Sequence, residues 1–216
     1  MRVIVTRPRA QAGPLVAALR DAGFDPVLCP LIEIEPIDDG PVDVSGYDWV
    51  AVTSANAAEQ LVRRTVGTLP RVAAVGEATA RALEQSGIET AFVPRDSSEA
   101  GLVAELPRPA GKVLFVGAEG AGGLLQAELG ADARAVYRIR ELEPAELPSG
   151  DLVVLASPSA ARVWSRLGLD VPAISIGSRT TAAARAAGVA VVGEAGTQDV
   201  RGLVDCAAAW LASSRS

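Results

Sequence analysis

Asp48-Trp49-Val50-Ala51-Val52-Thr53-Ser54-Ala55-Asn56-Ala57 is written a second time in this chain, as Asp151-Leu152-Val153-Val154-Leu155-Ala156-Ser157-Pro158-Ser159-Ala160. In both, an apolar run ends in hydroxyl residues and passes into an alanine-rich helical pattern. The match continues where Val75-Gly76-Glu77-Ala78-Thr79 is answered by Ile176-Gly177-Ser178-Arg179-Thr180. The offset is 103 at Ser54 and Ser157 (157 − 54) and 101 at Gly76 and Gly177 (177 − 76). It stays at 101 for Thr79/Thr180, Gly87/Gly188 and Leu102/Leu203. A register kept over about fifty residues marks a repeated α/β unit rather than a shared bias in composition. Two such units offer two surfaces, and ligands tend to bind where units meet.

The same alternation extends to both sides. Arg2-Val3-Ile4-Val5-Thr6 reads as a short buried strand, followed by a helix from near Gln11–Gly13, placed so that Pro14 falls in its first turn, through about Ala22, with Gly23 as its stop signal. A second strand is expected over Val27–Ile34. Lys112–Val116, Leu124–Leu129 and Ala135–Ile139 repeat that strand-helix-strand order. The layout is A-B-A-B, with A units at about 1–35 and 112–141 and B units at about 48–106 and 151–212. Continuous apolar strands alternating with helices predict parallel sheets covered on both faces. Pro36–Ser45 and Glu141–Gly150 are rich in proline, glycine and acidic residues, as linkers are. Which A unit joins which B unit is left open by the pattern itself.

Composition narrows the chemistry. The chain has 216 residues, is 49% hydrophobic and carries a net charge of −6, which disfavours nucleic acid as its main partner. No apolar run approaches a membrane span, so a soluble cytoplasmic protein is expected. With no histidine and only two cysteines, Cys29 and Cys206, nucleophilic Ser-His or Cys-His machinery is excluded and a metal site is not expected. Any chemistry must use tyrosine, carboxylates, arginine, hydroxyls or the backbone.

Those groups cluster at predicted strand ends. Thr53, Ser54, Gly76 and Thr79 in one B unit, and Ser157, Ser159, Gly177 and Thr180 in the other, fall where helix N-termini present unpaired N–H groups. They form candidate anion-binding rims, with plain helix capping as the alternative for each residue. Arg7 follows the first strand and suits bidentate carboxylate binding, or simply solvation at the surface. Tyr137, beside a unit boundary, suits proton transfer in a cleft wall or ordinary packing. Gly117-Ala118-Glu119-Gly120-Ala121-Gly122-Gly123 lacks both dinucleotide spacing and a Walker lysine, so it reads as a strand-to-helix turn.

Taken in order, Val5-Thr6-Arg7-Pro8, Pro30-Leu31-Ile32-Glu33-Ile34-Glu35-Pro36, Thr53-Ser54-Ala55-Asn56-Ala57, Val75-Gly76-Glu77-Ala78-Thr79-Ala80, Val136-Tyr137-Arg138, Ser157-Pro158-Ser159-Ala160 and Ile176-Gly177 through Thr180 resemble the uroporphyrinogen-III synthases. The resemblance covers nearly the whole chain. One departure is Val116-Gly117-Ala118-Glu119-Gly120, which carries no arginine where many of those proteins do.

The resemblance implies two similar doubly wound α/β domains with a chain crossover. Residues 1–33 and 145–216 form the first, discontinuous domain and 41–133 an inserted second one. Segments 34–40 and 134–144 join them as a two-stranded antiparallel linker, leaving a mobile cleft between the domains. It also implies a lyase that closes hydroxymethylbilane, a linear tetrapyrrole polycarboxylate, without a cofactor. Tyr137 would assist departure of the hydroxyl, while Arg7, Thr53, Ser54, Gly76, Thr79, Ser157, Ser159, Gly177 and Thr180 would bind substrate. A monomer, supplied by the preceding enzyme of the pathway, is expected. A non-catalytic small-anion receptor or sensor of two α/β lobes is the alternative from another class.

Overall fold

A computed structural model describes residues 1–213. In chain order, β1 (Arg2–Val5), α1 (Arg9–Asp21), β2 (Asp25–Leu28), β3 (Ile32–Pro36) and β4 (Val42–Asp43) come first. Next are β5 (Trp49–Val52), α2 (Ala55–Arg64), β6 (Thr65–Val66), β7 (Arg71–Ala74), α3 (Glu77–Gln85) and α4 (Glu99–Glu105). They are followed by β8 (Val113–Ala118), α5 (Gly123–Leu129), β9 (Asp132–Glu141), β10 (Leu152–Leu155) and α6 (Pro158–Arg166). The last are β11 (Ala173–Ser175), α7 (Ser178–Ala186), β12 (Val191–Glu194) and α8 (Val200–Ser213).

The chain divides into two compact units, one built from Met1–Glu33 with Arg140 onward and the other from Ile34–Ile139. The first contains a five-stranded sheet in the order β12-β11-β10-β1-β2, parallel throughout. In the second, β8 pairs in parallel with β9 and β5, and β5 with β7, within the order β3-β9-β8-β5-β7. The fold is therefore two doubly wound α/β domains of one design, the first closed by both ends of the chain. The chain passes between them inside β3 and β9. There Leu142 N–H donates to Leu31 O at 2.9 Å and Ile37 N–H to Val136 O at 3.3 Å, the opposed numbering of an antiparallel ladder.

The unbroken apolar runs follow from burial on both sheet faces. Along β1 and β10, Val3, Val5, Leu152 and Val154 join one cluster with Leu15 and Leu203, while Ile4, Val153 and Leu155 join another with Trp164. In the second unit Val50 and Val52 pack with Leu61 and Leu83, and Trp49 and Ala51 with Leu102 and Phe115. Alternate residues thus face opposite layers, and neither layer is water.

The duplication extends to the capping loops. Gly101 N–H donates to Ser98 Oγ at 3.0 Å, and Gly202 N–H to Asp199 Oδ1 at 2.8 Å, so the cap of α8 is Asp199. A Cβ on Gly101 would lie 2.1 Å from Asp96 O, and one on Gly202 2.2 Å from Thr197 O. Only glycine lets the backbone pass that close.

Two local expectations are corrected. The strand expected over Val27–Ile34 is two strands, β2 and β3, broken at Cys29-Pro30-Leu31, where Pro30 has no N–H to give a ladder. Helix α1 begins at Arg9, leaving Pro14 inside it rather than in its first turn. Interior proline costs about 3 kcal/mol, but Pro14 is exposed and the freed carbonyl can be hydrated. Full burial of Leu15 and Leu19 on the other face, roughly 1.5–3 kcal/mol each, outweighs that cost.

Candidate functional site

In open parallel sheets ligands gather beyond the strand C-termini, where the strand order reverses direction. In the first unit β1 connects outward to β2 while β10 connects to β11 and β12 on the other side, so the reversal lies between β1 and β10. Thr6, fully buried at the end of β1, donates its hydroxyl to Val154 O at 2.7 Å and ties these two strand ends together. Arg7 comes next. It is half-buried and has no ion-pair or hydrogen-bond partner among the described residues; burial alone pushes its pKa down. A guanidinium in that state has lost solvation without gaining a counter-charge, which favours a bound anion.

Across the reversal, Ser157 Oγ accepts from Ala160 N–H at 3.1 Å and Pro158 occupies the first turn of α6, as its sequence requires. Half-buried Ser159 accepts from Arg162 Nη2 at 3.1 Å. Gly177 caps α7 in an extended conformation, and a Cβ there would stand 3.0 Å from Gln198 Nε2. Thr180 is buried and presents little surface to a ligand.

In the second unit the reversal lies between β5 and β8. Thr53 and Ser54 are half-buried at the tip of β5. Ser54 Oγ accepts from Ala57 N–H at 3.1 Å and lies 3.0 Å from the Tyr137 hydroxyl. Tyr137 sits on β9 at a bulge: Gly117 pairs with Ala135 but Ala118 with Tyr137, so one residue is passed over. The bulge turns both Val136 and Tyr137 inward, against the usual alternation, and leaves Tyr137 only 5% exposed. Glu119 N–H donates to Tyr137 O at 2.8 Å and fixes that register. Gly76 caps α3 where a Cβ would meet Ser97 Oγ at 2.9 Å, and Thr79, like Thr180, is buried.

The two rims differ chemically. By strand register the counterpart of Arg7 is Gly117, since Val5 pairs with Val154 and Phe115 with Ala51. A Cβ on Gly117 would sit 2.1 Å from Phe115 Cζ, so no side chain fits there. The glycine-rich segment after it is a strand-to-helix turn whose Gly122 N–H is taken by Glu99 Oε1 at 3.0 Å. One rim thus has a cation, and the other a tyrosine–serine pair.

A further group escaped the sequence reading. Ser175, at the tip of β11 and fully buried, lies 2.5 Å from the hydroxyl of Thr181 on α7, and Thr181 donates to the Glu194 carboxylate at the tip of β12. Comparing the two halves for polar residues that replace apolar ones would have revealed it.

The model of the HEM4 family, uroporphyrinogen-III synthase HemD, matches residues 13–205. A uroporphyrinogen-III synthase of Synechococcus elongatus is 27% identical over 172 residues, 71% of this chain; the match spans 65% of that protein's own length, less than two thirds. The chloroplastic uroporphyrinogen-III synthase of Oryza sativa is 30% identical over 214 residues, 84% of this chain and 71% of the relative. Among solved structures, a mutant uroporphyrinogen III synthase of Thermus thermophilus aligns over 100% of both chains with a TM-score of 0.67 at 17% identity. The Helicobacter pylori uroporphyrinogen-III synthetase does so with a TM-score of 0.63 at 19% identity. Both share the fold.

Proposed function

The chain belongs to the uroporphyrinogen-III synthase family, and from that premise we propose that it is a lyase closing hydroxymethylbilane to uroporphyrinogen III. Water leaves, and the last pyrrole ring is inverted through a spiro intermediate. The observation that carries the reading is the half-buried Arg7, unpartnered among the described residues, at the strand reversal of a rim made of helix-capping amides and hydroxyls. Such a rim suits a substrate bristling with carboxylates. It also explains how a chain of net charge −6 takes a polyanion: the local field of helix N-termini and a guanidinium exceeds that of distant, screened carboxylates.

The substrate carries its own reactivity. The lone pair of the terminal pyrrole nitrogen expels the hydroxyl and leaves a conjugated azafulvenium cation. The substituted carbon of the last ring attacks it, giving the spiro centre. The bond from that carbon to its original methylene bridge then breaks, returning its electron pair to the last ring and leaving a second azafulvenium on the neighbouring ring. The free α-carbon of the inverted ring attacks that methylene and closes the macrocycle. No histidine or metal is needed for these steps. The protein's task is to hold two ends of one flexible molecule in a geometry they rarely adopt, which is worth roughly 7–11 kcal/mol in favourable cases.

Tyr137 is proposed as the group that helps the hydroxyl leave. Ser54 Oγ already accepts from Ala57 N–H, so its own proton can go to Tyr137 Oη. The phenolic proton then remains for the leaving oxygen. Thr53, Ser54, Gly76 and Thr79, with Ser157, Ser159, Gly177 and Thr180, are proposed to support substrate binding. Thr79 and Thr180 do so by holding their caps from behind.

No helix among the described residues is long and apolar enough to cross a membrane. The chain is proposed to act as a cytoplasmic monomer supplied by the enzyme that makes the linear tetrapyrrole. Incubating it with freshly generated hydroxymethylbilane, oxidising the product and separating the isomers tests the activity. Type III in excess over the spontaneous type I isomer is the expected result. Type I alone would leave an anion-binding protein.

A further inference from the structure

The duplicated design supplies an internal control for the Ser175–Thr181–Glu194 group. At the offset of 101 its counterparts in the second unit are Ala74, Ala80 and Val93. The elements agree: α3 spans Glu77–Gln85 and α7 Ser178–Ala186, while Ala73 bridges Phe92 as Ile174 pairs with Gly193. Ala74 and Ala80 are buried in an apolar cluster against which Val93 packs. The fold therefore closes this corner with three hydrocarbon side chains in one half, while the other half places two hydroxyls and a carboxylate there. Polar groups taken out of water gain little net stability even when satisfied. Packing does not require them.

Donor accounting gives the chain a direction. A carboxylate only accepts, so Thr181 spends its one proton on Glu194 Oε2. Thr181 Oγ1 then accepts from Ser175 at 2.5 Å, and the Gly177 carbonyl, 3.3 Å from Thr181 Oγ1, is served by the amides of Thr180 and Thr181. Glu194 is thus gripped through one oxygen, and its other oxygen is left at an exposed residue at the tip of β12. That tip lies on the Arg7 rim, three strands away in the sheet order and so roughly 14 Å across it.

We propose that Glu194, held by Thr181 and Ser175, is the carboxylate that faces the cationic intermediates of the cyclisation and takes up the proton lost at ring closure. The inference rests on the proposed function. When the last ring closes, its newly bonded carbon is tetrahedral and still carries hydrogen. Glu194 removes that proton, the C–H electron pair restores the aromatic pyrrole, and the carboxylic acid formed later returns the proton to solvent. This balances the proton consumed when water departs, and the overall reaction remains loss of water alone. It also accounts for a carboxylate on a rim that binds a polyanion: it opposes the substrate's acidic side chains but stabilises the azafulvenium cations.

The test uses the full chain and the isomer assay. Glu194→Gln keeps an acceptor for Thr181 and should lower kcat by about a hundredfold, the span of a lost general base, with KM nearly unchanged. The triple variant Ser175→Ala, Thr181→Ala, Glu194→Val installs the solution of the second unit. It should fold with an unchanged or higher Tm and show the same loss of kcat. Wild-type kcat in either variant overturns the role of Glu194, and so does a triple variant that fails to fold. Absence of type III product from the wild-type chain would instead sink the proposed function itself.

Discussion

Tyr137 Oη and Ser54 Oγ stand 3.0 Å apart although 83 positions separate them in the chain. The bulge in β9 makes the meeting possible, and the cap of α2 gives it polarity. Removing the phenolic oxygen by Tyr137→Phe should lower kcat by roughly tenfold to a hundredfold. Ser54→Ala should cost about 1 kcal/mol of stability through the lost cap and also slow turnover. If Ser54 acts through Tyr137, the double variant should be little slower than Tyr137→Phe alone. Additive losses in steady-state kinetics would show that the two act separately.

Arg7 separates binding from folding. Its charge is half-buried and has no partner among the described residues, so Arg7→Ala should leave Tm unchanged or raise it. Loss of one charge-assisted contact, about 1.5–3 kcal/mol, should raise KM at least about tenfold. Arg7→Lys should recover only part of this, because an ammonium cannot offer a planar bidentate fork. An unaltered KM for Arg7→Ala would remove this residue from the site.

Gly101→Ala and Gly202→Ala each force a Cβ to within 2.1 or 2.2 Å of a backbone carbonyl. Either should destabilise its own unit by more than about 2 kcal/mol, since the obstacle cannot rotate away. Denaturant unfolding followed by the tryptophans of each unit measures this. Tolerance at both positions would mean the capping loops are looser than described.

Tyr47 gives a pH signature. Its hydroxyl donates to Asp132 at 2.8 Å, and that bond, followed by burial and the repulsion of a phenolate by Asp132 and Asp43, raises its pKa. A group whose folded pKa is raised contributes stability that is complete below its unfolded value, about 10 for tyrosine, and lost as pH rises through the folded value. The second unit should therefore weaken above about pH 10, with Tyr47→Phe reducing that slope. Denaturation midpoints across this range test the expectation, and identical slopes would refute it.

Local pattern revealed those parts of the fold that depend on local physics. Trp49–Val52 and Leu152–Leu155 read as doubly covered strands because each has apolar layers on both sides, and Ser54 and Ser157 read as caps because their oxygens serve amides three residues on. The break at Pro30 is hidden in the sequence because Val27–Ile34 has the right composition for one strand. The interior position of Pro14 is not legible from a capping rule, because burial of Leu15 and Leu19 sets the helix. The join between first and last segments came from family likeness, as periodicity carries no information on which strand pairs with which. Tyr137 stands out in the sequence, but its pairing with Ser54 does not, because a bulge decides which way the ring faces. Ser175, Thr181 and Glu194 are each unexceptional alone, and only Ala74, Ala80 and Val93 in the opposite half make them conspicuous.

Strand β1 finds its central neighbour, β10, only when Leu152–Leu155 has been synthesised. Until then the first thirty-three residues, with Leu15 and Leu19 on one helix face, lack the sheet that will shelter them. The stretch Ile34–Ile139 has its own core and can mature first on the ribosome. The leading segment must wait beside it, an oily tether most exposed to aggregation and proteases while the nascent chain grows.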